Sequence, residues 1–231
     1  MSTGLKWLCV AVAIPALVVL ASIYGAYWYG ASALPVTIKP SDREYPAEIR
    51  LMYWRSMSGT TDIEIRRLNP LKVAWTLFHY FESADNGHIE PTPPDLQALT
   101  NIARIRISGV EPRLPTFRRS LAEIALMIRI SREWSEKQVV DTVLAEQWFG
   151  RGARGFDRAS NAYFGVDANK LSPEEALSLL VIERGPSFFD PTCRRERFVE
   201  RYNLLAKRVD LPAGDDAIGR ATARLRTTEC R

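Results

Sequence analysis

The chain is poor in the side chains that build metal and redox sites. Its 231 residues include three cysteines and two histidines, His79 and His88, with no Cys-x-x-Cys and no ligand spacing between the histidines. A structural zinc site is therefore not expected. Cys9 lies in an apolar segment. That leaves Cys193 and Cys230 as the pair able to form a disulfide, and only if that part of the chain lies outside the cytoplasm. A dominant charge is also missing: 31 Lys and Arg against 27 Asp and Glu give a net +4. So mild an excess suits an anionic membrane surface or a pyrophosphate-bearing substrate. It is too weak to argue for nucleic acid, and no nucleic-acid motif is present. No repeat period is visible. With 25% charged and 46% hydrophobic residues the chain is not disordered, and its length allows one domain plus an appendage.

What the chain does have begins with an apolar run. From Trp7 to Gly30 the residues are apolar or small, and no charge follows until Lys39. That exceeds the ~20 residues needed to cross a bilayer core. Tyr24, Tyr27, Trp28 and Tyr29 crowd one end, as an interfacial aromatic belt would. Ala31-Ser32-Ala33 resembles a signal-peptide cleavage site, but the run is long for a signal-peptide core, which favours an uncleaved anchor. Lys6 stands on the short side and Lys39, Arg43 and Arg50 on the long side, so a count of positive charges does not place the long side outside.

Residues 1–33 thus read as the anchor and 34–68 as a linker, in which Ile49 to Trp54 and Thr61 to Arg66 suggest a β-hairpin around Ser58-Gly59. Residues 69–211 read as a mostly α-helical domain and 212–231 as a tail. Asn69-Pro70 opens a helix whose apolar face, Leu71, Ala74, Trp75 and Phe78, is widened by Val73, Leu77 and Phe81. Such a helix is deeply buried or touches lipid. Thr92-Pro93-Pro94-Asp95 opens a further helix that runs to about Ile107, Thr116 caps the next, and Ser135 to Gln138 is a capping box.

Residues 147–191 organise the rest. Gly150, Gly152 and Gly155 permit a tight turn with positive φ. Asp157 is placed to cap a short helix that stops at Gly165, and Ser172-Pro173-Glu174-Glu175 is a full helix start. Asp190-Pro191 opens an arginine-rich helix whose Arg194, Arg195, Arg197 and Arg201 read most simply as a solvated face. Asp215 opens a last short helix.

Four pieces here, Trp148 to Gly155, Ala159 to Gly165, Leu171 to Ala176 and Gly185 to Pro191, stand in order and spacing. Together they resemble the C-terminal half of glycosyltransferase family 51, the peptidoglycan glycosyltransferases. The resemblance implies a lysozyme-like α fold with one lobe partly in the membrane, where periodicity alone gives only an α-helical domain. It also implies a location on the outer face of the cytoplasmic membrane and sugar transfer between lipid-linked disaccharides such as lipid II. The reaction needs a carboxylate base for the acceptor hydroxyl and cations for the leaving pyrophosphate. A divalent metal is a cofactor that the resemblance allows.

Counting back from Trp134-Ser135, the acidic residue of the family's Arg-Lys-x-x-Glu motif falls on Glu123. Its arginine falls on Arg119, Ser120 replaces its lysine, and Arg118 adds a second cation. Arg119 and Glu123 lie one turn apart, so a plain helix-surface ion pair is the competing reading. The family's Gly-Gly-Ser motif is missing from Leu96 to Arg104, where Asn101 and Arg104 stand as remnants. The Glu-Asp-x-x-Phe motif has no clean match: Glu82 is the best candidate, with Asp85 and Glu90 as alternatives, against a plain solvated-loop reading for all three. His79 reads as a core or interface residue, and His88 has no secure match. Two functions stay open: an enzyme that polymerises glycan from lipid II, or an inactive relative that binds lipid II, glycan or wall-synthesis proteins. The anchor reading has a direct check. Carbonate extraction should leave the full chain in the membrane fraction, whereas a soluble form beginning near Leu34 would mark a cleaved signal peptide.

Overall fold

A computed structural model describes residues 3–58, 60, 62–85, 92–110 and 113–230. Among these residues the secondary structure is helical, and the one β-bridge pairs Trp148 with Arg154. The chain divides into two compact units, and α4 (Pro94–Ser108) contributes its last turn to the first and the rest to the second.

The first unit holds α1 (Thr3–Ala31), α3 (Pro70–Asp85) and α5 (Thr116–Glu133). Within α1, Ala11–Ala31 is long and apolar enough to cross a membrane. Its C-terminal end packs on α5. A Cβ at Gly30 would stand 2.3 Å from the carbonyl oxygen of Leu121, so only glycine allows this approach. The seam continues upward. Arg118 donates to the Ser32 hydroxyl at 3.3 Å and lies 5.2 Å over the Tyr29 ring. Arg129 donates to the carbonyls of Pro35 and Val36. At the far end of α5 the Ser131 hydroxyl accepts the Leu68 amide at 3.0 Å and leads the chain into α3. Asn69 caps that helix by accepting the Lys72 amide. The wide apolar face of α3 is not buried: Trp75 is 64% and Phe78 62% exposed. Of the two environments expected for this helix, deep burial is therefore excluded.

The second unit is built around α8 (Pro173–Glu183), in which every residue from Glu175 to Glu183 is buried. Packed on it are α2 (Ala47–Ser58), α7 (Phe156–Phe164), α9 (Pro186–Phe189), α10 (Arg195–Arg208) and α11 (Asp215–Thr222). Both capping boxes form, at Ser135 before α6 (Glu136–Glu146) and at Ser172 before α8. The expected β-hairpin does not: Ile49 to Trp54 lies inside α2. Tyr53 and Trp54 are adjacent and both fully buried. A half-covered strand sends neighbouring side chains to opposite faces, whereas a helix wedged among α6, α8 and α10 can bury both.

Two more expectations are corrected. Asp157 does not cap α7, whose N-cap is Gly155. Its carboxylate instead accepts from both Arg43 and the Tyr45 hydroxyl. Asp190-Pro191 does not open α10, which starts at Arg195. Asp190 is committed to Arg151 and to the Thr192 amide. Residues 212–231 contain α11, whose Ala217, Ile218 and Ala221 are buried. They are closed by a Cys193–Cys230 disulfide with Cα atoms 5.4 Å apart, a cross-link typically worth ~2–4 kcal/mol.

Glu183 ends α8 in the interior, 3.5 Å from the Arg184 guanidinium. Burial raises its pKa, and the opposing pull of Arg184 and Arg201 does not cancel the effect. An acid raised in the fold contributes stability that is complete below its unfolded pKa of ~4.3 and is lost as pH rises through the folded value. Glu183→Gln should therefore melt above the wild type at neutral pH, and thermal scans should show the gap closing as pH falls toward ~4.

Candidate substrate site

The residues singled out for chemistry fall on two helices of the first unit. Arg118, Arg119 and Glu123 lie on α5 and Glu82 on α3, and these helices touch. Arg119 Nε donates to Glu123 Oε1 at 3.0 Å, the one-turn pair that the sequence places there. The Glu123 side chain is 19% exposed and that of Arg119 45%. Among the described residues this is the side-chain hydrogen bond that Arg119 makes, and it engages Nε. Arg118 is turned the other way, toward Tyr29 and Ser32, and its buried Nε has no partner among the described residues. It fastens α5 to the exit of α1, one residue before Arg119.

Glu82 stands in the last turn of α3, 57% exposed, 3.3 Å from Nδ1 of His79 one turn back. His79 is not a core residue: it is half exposed and lies 4.3 Å from the Trp75 ring in an edge-on contact. Glu123 and Glu82 thus each have a nitrogen partner about one turn away on their own helix. Asp85 ends α3, and its side chain, like Glu90 and His88, lies outside the described residues. Of the two remnants in α4, Asn101 sits beside the fully buried Tyr53 hydroxyl, whose pKa burial pushes far up, and Arg104 is exposed. Among the described residues no three His, Cys, Asp or Glu side chains converge as a metal site would need.

The glycine-rich stretch serves the scaffold. Gly150, Arg151, Gly152 and Gly155 all have positive φ, and a Cβ at Gly155 would meet the Ala145 carbonyl at 2.4 Å. Arg151 holds the turn to the Gly185–Pro191 segment. It makes a bidentate pair with Asp190 at 2.9 and 3.0 Å, donates to Thr192 and lies 4.1 Å over the Tyr163 ring. Sequence reasoning missed this arginine, whose signal was its place between two turn glycines. Arg194, Arg195 and Arg197 are exposed as expected. Arg201 is not part of that face: it is partly buried, and burial lowers its pKa beside Arg184 and Arg208.

Helix order, capping boxes and glycine turn define an α-helical domain. Comparison with known families narrows the class: residues 102–210, just under half of the chain, match the family described as Transglycosylase. This segment is a transglycosylase-like domain of glycosyltransferase family 51. The chain is 33% identical over 94 residues to penicillin-binding protein 1A of Aquifex aeolicus, covering 41% of this chain and 13% of that protein. It is 33% identical over 76 residues to penicillin-binding protein 2a of Streptococcus pneumoniae, covering 33% and 10%. It is 30% identical over 95 residues to penicillin-binding protein 2D of Bacillus subtilis, covering 41% and 14%. The aligned stretch is thus a small part of each of these relatives.

The Arg119–Glu123 pair is a surface pair in the fold, worth a few tenths of a kcal/mol. Arg119→Gln and Glu123→Gln should each shift stability by less than about 0.5 kcal/mol in urea titrations. A larger loss would assign the pair a structural role.

Proposed function

We propose that this chain is a membrane-anchored transglycosylase-like protein that binds lipid II through the Arg119 fork and polymerises glycan weakly or not at all. The observation that carries the reading is the division between α5 and α3. The helix with Arg119 and Glu123 lies inside the matched family segment, which begins at residue 102. The helix with Glu82 lies before it, in a stretch that lacks the Glu-Asp-x-x-Phe and Gly-Gly-Ser motifs. A diphosphate spreads its charge over several oxygens, and a planar guanidinium whose Nε is already fixed offers two parallel donors to them. Glu123 sets that orientation.

Transfer asks for more than binding. A base must come within hydrogen-bond reach of the attacking hydroxyl and is typically worth ~10²–10⁴-fold. Glu82 is exposed, lies 3.3 Å from His79 of its own helix, and stands in a stretch without the motif that would present a carboxylate to the acceptor. The Cys193–Cys230 disulfide supports an outer-face location, because such bonds persist in oxidising compartments. The span-length α1 supports bilayer attachment of the same chain.

The test uses the full chain in nanodiscs with lipid II. Binding should persist in the wild type and fall in Arg119→Gln, while polymer formation stays near background. Robust polymerisation that Glu82→Gln or Glu123→Gln abolishes would overturn the weak-catalysis half of the proposal and identify the base. Absence of lipid II binding would overturn the other half.

A further inference from the structure

One apolar feature of the first unit is unused by the site on α5. A groove of about 660 Å³ runs between α1 and α3, lined by Val19, Ile23, Leu71, Ala74, Trp75 and Phe78. Lys72 supplies its one charged wall residue. Val19 and Ile23 lie roughly 18 and 12 Å along α1 from Ala31 at ~1.5 Å per residue, within the span-length segment. A bilayer core is ~30 Å thick, so a crossing α1 carries the groove into the hydrocarbon. Trp75 and Phe78, stacked with ring centroids 6.3 Å apart, lie there too.

Water is a poor occupant, since a buried water needs two to four polar partners and the backbone groups of these helices are spent within them. An empty apolar groove facing lipid forfeits dispersion contacts along its whole lining. Lys72 adds a second requirement. An ammonium at this depth is costly unless its aliphatic stem lies along apolar surface and its head reaches an anion. A molecule with a hydrocarbon chain and a phosphate meets both needs.

We propose that the groove between α1 and α3 holds one acyl chain of a bilayer phospholipid, with its phosphate paired to Lys72. The proposal rests on α1 crossing a bilayer. It is separate from the diphosphate fork, since Arg118 meets α1 at Tyr29, roughly 9 Å of helix beyond Ile23. The bound lipid would act as a wedge that holds α3 against α1 and keeps the exposed aromatic face seated in the membrane.

The experiment is native mass spectrometry of the full chain released from bilayers of phosphatidylglycerol and phosphatidylcholine. Wild type should retain one phospholipid. Ala74→Phe, which fills the groove, and Lys72→Gln, an exposed change that removes the charge, should each lose it, with helicity by circular dichroism unchanged. Three results would overturn the proposal: no retained phospholipid in the wild type, retention equal in both variants, or replacement of the phospholipid by undecaprenyl phosphate at equal concentration. The last would make the groove a seat for a carrier-lipid tail. Carbonate extraction reports on α1 independently, so failure of the anchor and failure of the groove are told apart.

Discussion

The contact between Gly30 and the Leu121 carbonyl is the constraint on which the first unit depends. Helices normally meet across side chains, at axis separations of 8–10 Å. Here a missing Cβ lets the end of α1 lie on the backbone of α5. Arg118 and Arg129 then tie the residues just past α1 to the same helix at two further levels. The membrane-length helix and the helix that carries Arg119 are therefore in direct backbone contact. Arg119 follows the seam residue Arg118 directly and is paired with Glu123, and the residues that follow α1 are hydrogen-bonded to α5 at Ser32, Pro35 and Val36.

The second unit solves a different problem, how to bury a whole helix that carries charges at both ends. At the N-terminus of α8, Glu175 closes the capping box and is met by Arg224 from the C-terminal segment. Burial alone would raise the pKa of Glu175, but the hydrogen bonds from Arg224 and the Ser172 amide turn it downward. At the other end the charges of Arg184 and Arg201 do not offset the burial of Glu183, and its shift runs upward. Two carboxylates on one buried helix thus titrate in opposite directions because one has donors in geometry and the other mainly has charge nearby. The C-terminal segment gains its place from this. Arg224 holds α8, the Arg226 amide reaches the Tyr163 carbonyl, Arg151 reaches the Arg226 carbonyl, and the disulfide closes the end.

A fold can retain the parts that bind while losing the parts that react, because the two make different demands. An anion is held by a fixed charge and a few donors, which one helix supplies by itself at i and i+4. General base catalysis needs a carboxylate from another element placed to a fraction of an ångström. Under the proposed function the first requirement falls to α5, which the Gly30 contact joins to α1. The second would rest on the end of α3, where Glu82 is exposed and paired within its own helix.

Much of this was legible in the sequence wherever the cause is local. The span-length apolar run, the capping boxes at Ser135 and Ser172, the left-handed stop at Gly165 and the glycine turn each depend on residues within a few positions of one another. So does the pairing of Arg119 with Glu123. What only tertiary structure decided involves partners far apart in the chain. Ile49 to Trp54 became a helix because three other helices surround Tyr53 and Trp54. Asp157 left its capping role because Arg43 and Tyr45 claim its carboxylate. Asp190 was taken from the start of α10 by Arg151, a residue whose own importance shows only once the glycine turn lies against the 185–191 segment. Local geometry is written in short spacings, whereas the competition for a charged side chain is settled by whichever distant partner the packed core brings within hydrogen-bond reach.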